Sequence, residues 1–236
     1  MDFLLKQIGV KIMGKFNNHI FIYDLKKNHL IKNMKYLKLL IISLLLIGCS
    51  TPEIIAQDLR ENVYIETEVF QVWYNEVLEQ PVKLIYTSTN RPKNVDRGNM
   101  DFHLVPGVVT SNKHDYYNNQ WDKGHLAPAA TFSDTQENLY GTFAYLNCAL
   151  QQQDLNRGEW RMLEQEERKW DDEQNLTITV ELIFNDGYEV LPTGASVPSV
   201  MTKHIYFEND GNCRKFVFPN LKPTKDWEEY EVTCTN

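Results

Sequence analysis

Two side chains stand out as able to do chemistry. His125 lies in the run Trp121-Asp122-Lys123-Gly124-His125-Leu126-Ala127-Pro128, and Asn156 lies in Leu155-Asn156-Arg157-Gly158-Glu159-Trp160. Breaking a phosphodiester with water calls for a base that titrates near neutrality, which histidine supplies with little tuning. It also calls for positive charge at the phosphate. Hard Mg2+ meets that need, prefers oxygen ligands and keeps most of its own waters. The Asn156 amide offers one such oxygen.

The elements that must position these groups can be read from the pattern between and around them. Tyr145-Leu146-Asn147-Cys148-Ala149-Leu150 is apolar enough to be a buried strand, and the sequence turns helical at about Gly158 and stays so to Trp170. The local order is a loop with the histidine, a strand, and a helix with the asparagine. Trp160, Leu163 and Trp170 form the buried stripe of that helix. Asn156, Trp160, Glu164 and Arg168 follow four-residue steps and share a slowly drifting face. Elsewhere β-branched and aromatic residues predict strands over Val63 to Tyr74, Val82 to Thr87, Leu176 to Phe184, Lys203 to Phe207 and Lys215 to Phe218. Residues 88 to 121 are polar and turn-rich and are expected to wrap toward the site. This is an α+β pattern with a sheet core.

Each of these residues also has an ordinary reading. A Gly-His pair is usually a turn with a solvated imidazole. Asn156 suits a helix cap, a role compatible with ligation. Glu164 and Arg168 suit a surface ion pair worth ~0.3 to 0.5 kcal/mol. His103, His114 and His204 have no partner at metal-ligand spacing and read as solvated or structural.

Three ordered blocks tip the balance: Asp122-Lys123-Gly124-His125-Leu126-Ala127-Pro128, then Asn147-Cys148-Ala149-Leu150-Gln151, then Leu155-Asn156 through Trp160 to Leu163-Glu164. Together they resemble the signatures D-R-G-H-x-A-P, N-x-x-P-Q and L-N-x-x-x-W-x-x-L-E of the DNA/RNA non-specific endonucleases, a ββα-metal family, with the likeness running from about Phe70 to the C-terminus. The resemblance implies a ββα-metal fold with a central, mainly antiparallel sheet and flanking helices. It implies a Mg2+-dependent endonuclease, with Mn2+ as an alternative ion, that cuts DNA and RNA with little sequence preference and leaves 5′ phosphates. His125 would activate water and Asn156 would be the one direct protein ligand of the metal. Glu164 would hold a water of the ion's shell, and Arg168 would contact phosphate. Arg97, Lys123, Asp122 and Asn147 complete the substrate-binding set, with Asp122 supporting the histidine loop and Asn147 ordering the site. Lys123 replaces the family arginine, which keeps the charge but loses the planar fork for bidentate phosphate contact. Leu150 replaces the proline before Gln151. A less active enzyme is the expected result.

The amino-terminal region carries a second signal. Met34-Lys35-Tyr36-Leu37-Lys38 followed by apolar Leu39 to Ile47 has the layout of a secretory signal too short to span a membrane comfortably. Its end, Leu46-Ile47-Gly48-Cys49, resembles a bacterial lipobox, which implies a lipid on Cys49 and an exported envelope protein at the outer membrane or cell surface. The expected organisation is residues 1–33 as an extension or an overrun upstream of a true start at Met34, 34–49 as signal, 50–62 as tether, and 63–236 as the endonuclease domain.

Residues 1 to 49 hold eight lysines and two acids, which leaves 16 basic against 30 acidic residues in the remainder, a net charge near −14. Tight non-specific duplex binders present a basic face, because affinity comes largely from phosphate neutralisation. The acidic balance argues against that class, whereas a turnover enzyme needs only a local cationic cleft, here Arg97, Lys123, Arg157, Arg161 and Arg168. A second reading is a surface lipoprotein that keeps the fold as a binding module with reduced or lost activity. Cys148 reads as a buried free thiol, Cys213 and Cys234 are a candidate disulfide worth ~3 kcal/mol, and no zinc spacing is present.

Overall fold

The computed structural model describes residues 12–16, 19–23 and 58–234. The chain divides into two compact units, Met1–Ala56 and Gln57–Asn236. In the first, β1 (Ile12–Phe16) and β2 (His19–Tyr23) pair as an antiparallel hairpin. The expected signal segment and the Cys49 lipid site lie outside the described residues, as do residues 50–57 of the tether. No helix among the described residues is long and apolar enough to cross a membrane.

The second unit is built on a seven-stranded antiparallel sheet. Its strands are β3 (Val63–Glu66), β4 (Gln71–Asn75), β5 (Gln80–Ser88), β8 (Leu176–Ile183), β9 (Val200–Phe207), β10 (Cys213–Pro219) and β11 (Glu231–Val232), in spatial order β11-β10-β9-β8-β5-β4-β3. The period-2 alternation of Leu-Thr-Ile-Thr-Val-Glu-Leu-Ile in β8 buries Leu176, Ile178, Val180 and Leu182 on one face, the behaviour of a sheet covered on one side. Between β5 and β8 the chain leaves the sheet. It forms β6 (Trp121–His125), a short helix α1 (Gln136–Thr142) and β7 (Cys148–Gln152), and β6 and β7 pair as a separate antiparallel ribbon. A helical run follows: α2 (Gln153–Leu155), a π turn over Asn156–Trp160, and α3 (Arg161–Trp170). Leu155, Trp160 and Leu163 are fully buried and join the cluster that includes Ile178, Val180, Met201, Ile205 and Phe218. The Trp160 and Phe218 rings meet edge to face at 5.6 Å. Trp170 is partly buried, packed on Phe207 at 5.6 Å and Trp227 at 6.2 Å.

Several expected boundaries move, each for a local reason. Val63 to Tyr74 is a hairpin and not one strand, because the Thr67 hydroxyl accepts from the N–H groups of Val69 and Phe70 and closes a turn there. The histidine block is a strand and not a loop, since Trp121 to His125 pair residue by residue with Gln152 to Cys148. Tyr145–Asn147 is a 3-10 turn ahead of β7. The helical run begins at Gln153, five residues before the expected start. Gly158 interrupts it with φ −104° and ψ −109°, so the pattern downstream looked like a fresh helix.

At the start of the unit Arg60 is already fixed. Its guanidinium and backbone N–H all donate to Glu76, and its guanidinium also donates to the Gly107 carbonyl. That hydrogen bonding holds the Glu76 carboxyl down at about 2. At the other end Cys213 and Cys234 are disulfide-bonded, while Cys148 is free and buried.

Candidate active site

The β6–β7 ribbon sets the position of His125. Gly124 lies opposite Ala149, and a Cβ on it would stand 2.3 Å from Gln151 Oε1 and 2.6 Å from Gln151 Cβ. Only glycine lets the buried Gln151 cross that strand. The segment after His125 is held by Asn147, whose side chain accepts from Ala127 N–H at 2.7 Å and donates to the carbonyls of Ala127 and Thr142 at 2.9 and 2.8 Å. Asn147 is sealed from solvent and does not line the cleft, so it serves the histidine segment and not the substrate directly.

Three aromatic contacts fix the imidazole and its surroundings. Phe102 packs on His125 at 4.6 Å, Phe143 meets it edge to face at 4.8 Å, and Phe102 also touches Phe143 at 5.4 Å. Nε2 is buried with no hydrogen-bond partner, which leaves Nδ1 as the nitrogen open to the cleft. Burial, with a smaller push from Arg97, brings the imidazole down to about 3. This shift favours the neutral imidazole. With its proton on Nε2, the Nδ1 lone pair is free to accept another.

Asn156 opens the π turn. Its Nδ2 donates to Asp122 Oδ2 at 2.9 Å, and Arg157 makes a bidentate pair with the same carboxylate at 2.7 and 2.6 Å. Asp122 thus pins the helical run to β6, and it is not among the residues on the cleft wall. With Nδ2 committed, the acceptor Oδ1 is the atom left for a cation. Glu164, two turns on, lines the same cleft. Burial raises its carboxyl to about 7, with Lys203 opposing and Glu167 adding to the rise.

Lys203 explains how a carboxylate can sit there. It reaches up from β9 with no solvent exposure, pairs with Glu167 at 2.7 Å, stands 3.9 Å from Glu164 and lies over the Trp160 ring at 4.5 Å. Tyr86 completes the arrangement by donating to Glu167 at 2.8 Å.

These groups meet in a cleft of about 550 Å³, lined among others by Arg97, Asp101, Phe102, Lys123, His125, Asn156, Arg157, Arg161 and Glu164. Lys123 is tied to Asp101 at 2.7 Å, and Arg97 lies over the Phe143 ring at 4.9 Å. Of the five expected cleft cations four are present. Arg168 is the exception: it is absent from the wall and has one guanidinium nitrogen buried without a partner. Its charge acts on Glu164 and Lys93 instead. Of the remaining histidines, His103 stacks on Tyr140 at 4.2 Å and His114 is exposed.

The sequence reading missed Phe102, Phe143, Asp101 and Lys203. One signal was available: Met201, Lys203 and Ile205 share a strand face by parity, which puts a lysine among core residues. The Asn156 amide oxygen and the Glu164 carboxylate, in a cleft that also holds Asp96 and Asp101 and no sulfur, suit a hard ion that fills the rest of its shell with water and phosphate oxygens. The residues present therefore fit Mg2+.

Comparisons with known proteins bear on the fold and the family. The structure superposes on a chain of the crystal structure of the EndoG/EndoGI complex with a TM-score of 0.66 at 22% identity, covering 72% of this chain and 80% of that one. A mitochondrial EXOG nuclease from Danio rerio is 33% identical over 60 residues, which is 25% of this chain and 18% of that protein's length. The family model described as DNA/RNA non-specific endonuclease matches residues 52–236. With most of its length matched and the histidine, asparagine and glutamate blocks gathered in one cleft, the chain belongs to the DNA/RNA non-specific endonuclease family.

Proposed function

We propose that the chain is a Mg2+-dependent endonuclease that hydrolyses DNA and RNA without sequence preference and leaves 5′-phosphate ends. The observation that carries this reading is the convergence of a neutral, partner-free imidazole, an amide oxygen and a carboxylate in one cation-lined cleft. Nδ1 of His125 takes the proton of the attacking water. Arg97 and Arg161, neither of which is ion-paired, receive the phosphate, and the incoming anion offsets the repulsion that Arg97 exerts on the imidazole. Asp122 holds Asn156 in place, and Lys203 keeps Glu164 beside it. Mg2+, with Mn2+ able to replace it, would neutralise charge developing on the phosphate and on the leaving 3′ oxygen. Phe102 and Phe143 exclude bulk water from the base. On the sequence argument above we also place the protein outside the cell, anchored through a lipid on Cys49.

The test is cleavage of plasmid DNA and a structured RNA by residues 50 to 236 at low salt, with Mg2+ or EDTA, beside His125→Ala and Asn156→Ala. Metal-dependent degradation of both substrates, lowered at least ~100-fold by either substitution, is expected. No cleavage across several divalent ions would leave a binding module on a nuclease fold.

A further inference from the structure

A second cluster of metal-type ligands lies away from the cleft. His204 sits in the middle of β9, Cys213 opens β10 and Cys234 follows β11. Sequence spacing gives no hint of a site, because the three residues come from different strands. Antiparallel pairing brings them together, with Tyr206 opposite Cys213 and His204 opposite Lys215. One ligand atom from each lies within 4.8 Å of the other two, and all three residues are half-buried. By strand alternation His204 faces away from its neighbour Lys203, and so away from the nuclease cleft. His204 Nε2 is buried with no hydrogen-bond partner, an uncommon state for a polar atom that calls for an explanation. Beside His204 is an open hollow of about 540 Å³, lined also by Thr177, Thr179, Tyr206 and Glu208.

In the structure the two sulfurs are joined, yet every chain is synthesised with its cysteines reduced. Two thiols and an imidazole are a donor set for Zn2+. Tetrahedral bonds of about 2.3 Å to sulfur and about 2.0 Å to nitrogen place the donor atoms about 3.5 to 3.8 Å apart. The cluster already lies within that reach once the sulfurs separate. We infer that the reduced chain binds one Zn2+ through His204, Cys213 and Cys234, with solvent from the hollow in the fourth position. The disulfide and the ion are then alternative fastenings of the same carboxy-terminal strap.

The interconversion balances. A dithiol reductant gives two electrons and two protons to the Cys213–Cys234 bond and closes into its own disulfide. Zn2+ then displaces both thiol protons to solvent. Oxidation of the pair must release the ion, because the sulfurs cannot bond each other and hold the metal as thiolates together. In consequence Zn2+ slows formation of the disulfide.

The test uses the full chain with Co2+ as a spectroscopic probe of thiolate ligation, oxidised and after reduction by a dithiol that is then removed. The reduced chain is expected to bind one equivalent with a sulfur-to-cobalt charge-transfer band, displaced by Zn2+. The oxidised chain shows no band. Cys213→Ser abolishes it, and His204→Ala and His204→Gln each weaken binding about 100-fold while circular dichroism confirms that they fold. Zn2+ also raises the Tm of the reduced chain by more than that of the oxidised chain. The inference fails if the reduced chain gives no band, if the band survives Cys213→Ser through Cys49 or Cys148, or if both folded His204 variants bind as tightly as the parent. None of these readouts depends on nuclease activity.

Discussion

Burial against Phe102 and Phe143 leaves His125 with a weakly basic imidazole whose neutral form dominates before reaction. Glu164 is shifted the other way, to about 7, and the two shifts assign the acid limb of the pH profile. A carboxyl with a raised value is protonated below about 7, and only its ionised form attracts Mg2+. At sub-saturating Mg2+, kcat/KM should therefore fall as pH drops through about 7. Raising Mg2+ tenfold should move that limb down by as much as about one pH unit, because protonating Glu164 removes the charge that holds the ion's water shell, so ion and proton oppose each other. His125 contributes nothing until far below its ordinary 6.5. A limb near 6.5 that ignored the Mg2+ concentration would instead assign it to an unburied histidine. These values were not legible in the sequence, which showed the histidine and glutamate but not the phenylalanines and the lysine around them.

At the scale of elements, the β6–β7 ribbon and the β9 strand carry the support. Gly124→Ala drives a methyl into Gln151, including its Cβ, which cannot swing aside as a side-chain terminus can. Denaturant unfolding should show a loss of ~1 to 3 kcal/mol, and cleavage should fall further because His125 is the next residue. Lys203→Met leaves Glu167 buried without its cation, a change that costs ~3 to 5 kcal/mol. Adding Glu167→Gln should recover more than half of that stability. It should not recover kcat, since Glu164 still lacks the ammonium beneath it. Equal recovery of both would reduce Lys203 to a packing residue.

The motif blocks made the proposed catalytic residues readable as a group, because His125, Asn156 and Glu164 are close together in the chain and line one cleft. Lys203 lies 39 residues beyond Glu164 and is joined to it only by sheet pairing. The hairpin break at Thr67 and the early start of the helical run were missed because side-chain caps and a π turn do not change hydrophobic period.

For the molecule as a whole, the cleft gathers cations that the net charge does not suggest. The chain carries −8 overall, while its cleft presents four cations, of which Lys123 and Arg157 are already paired to Asp101 and Asp122. Two free cations release about two counterions on binding. Raising salt from 50 to 200 mM should therefore increase KM for duplex DNA about tenfold with little change in kcat. A change of a thousandfold would require a basic surface beyond the cleft.

The excursion of the chain between β5 and β8 also favours one order of assembly. It leaves the sheet at Ser88 and returns at Leu176, which pair with each other. His125, Asn156 and Glu164 are all made within it, and the β6–β7 ribbon and the helical run form from near neighbours in sequence, the contacts that assemble fastest. Joining β8 to β5 closes a long loop and is entropically slower. A chain emerging from the ribosome therefore presents these three side chains before β9 has delivered Lys203 and before β10 has delivered Phe218 to cover Trp160. The cleft matures only when the last strands arrive, so a half-made copy carries the reactive groups without the foundation that lets them work.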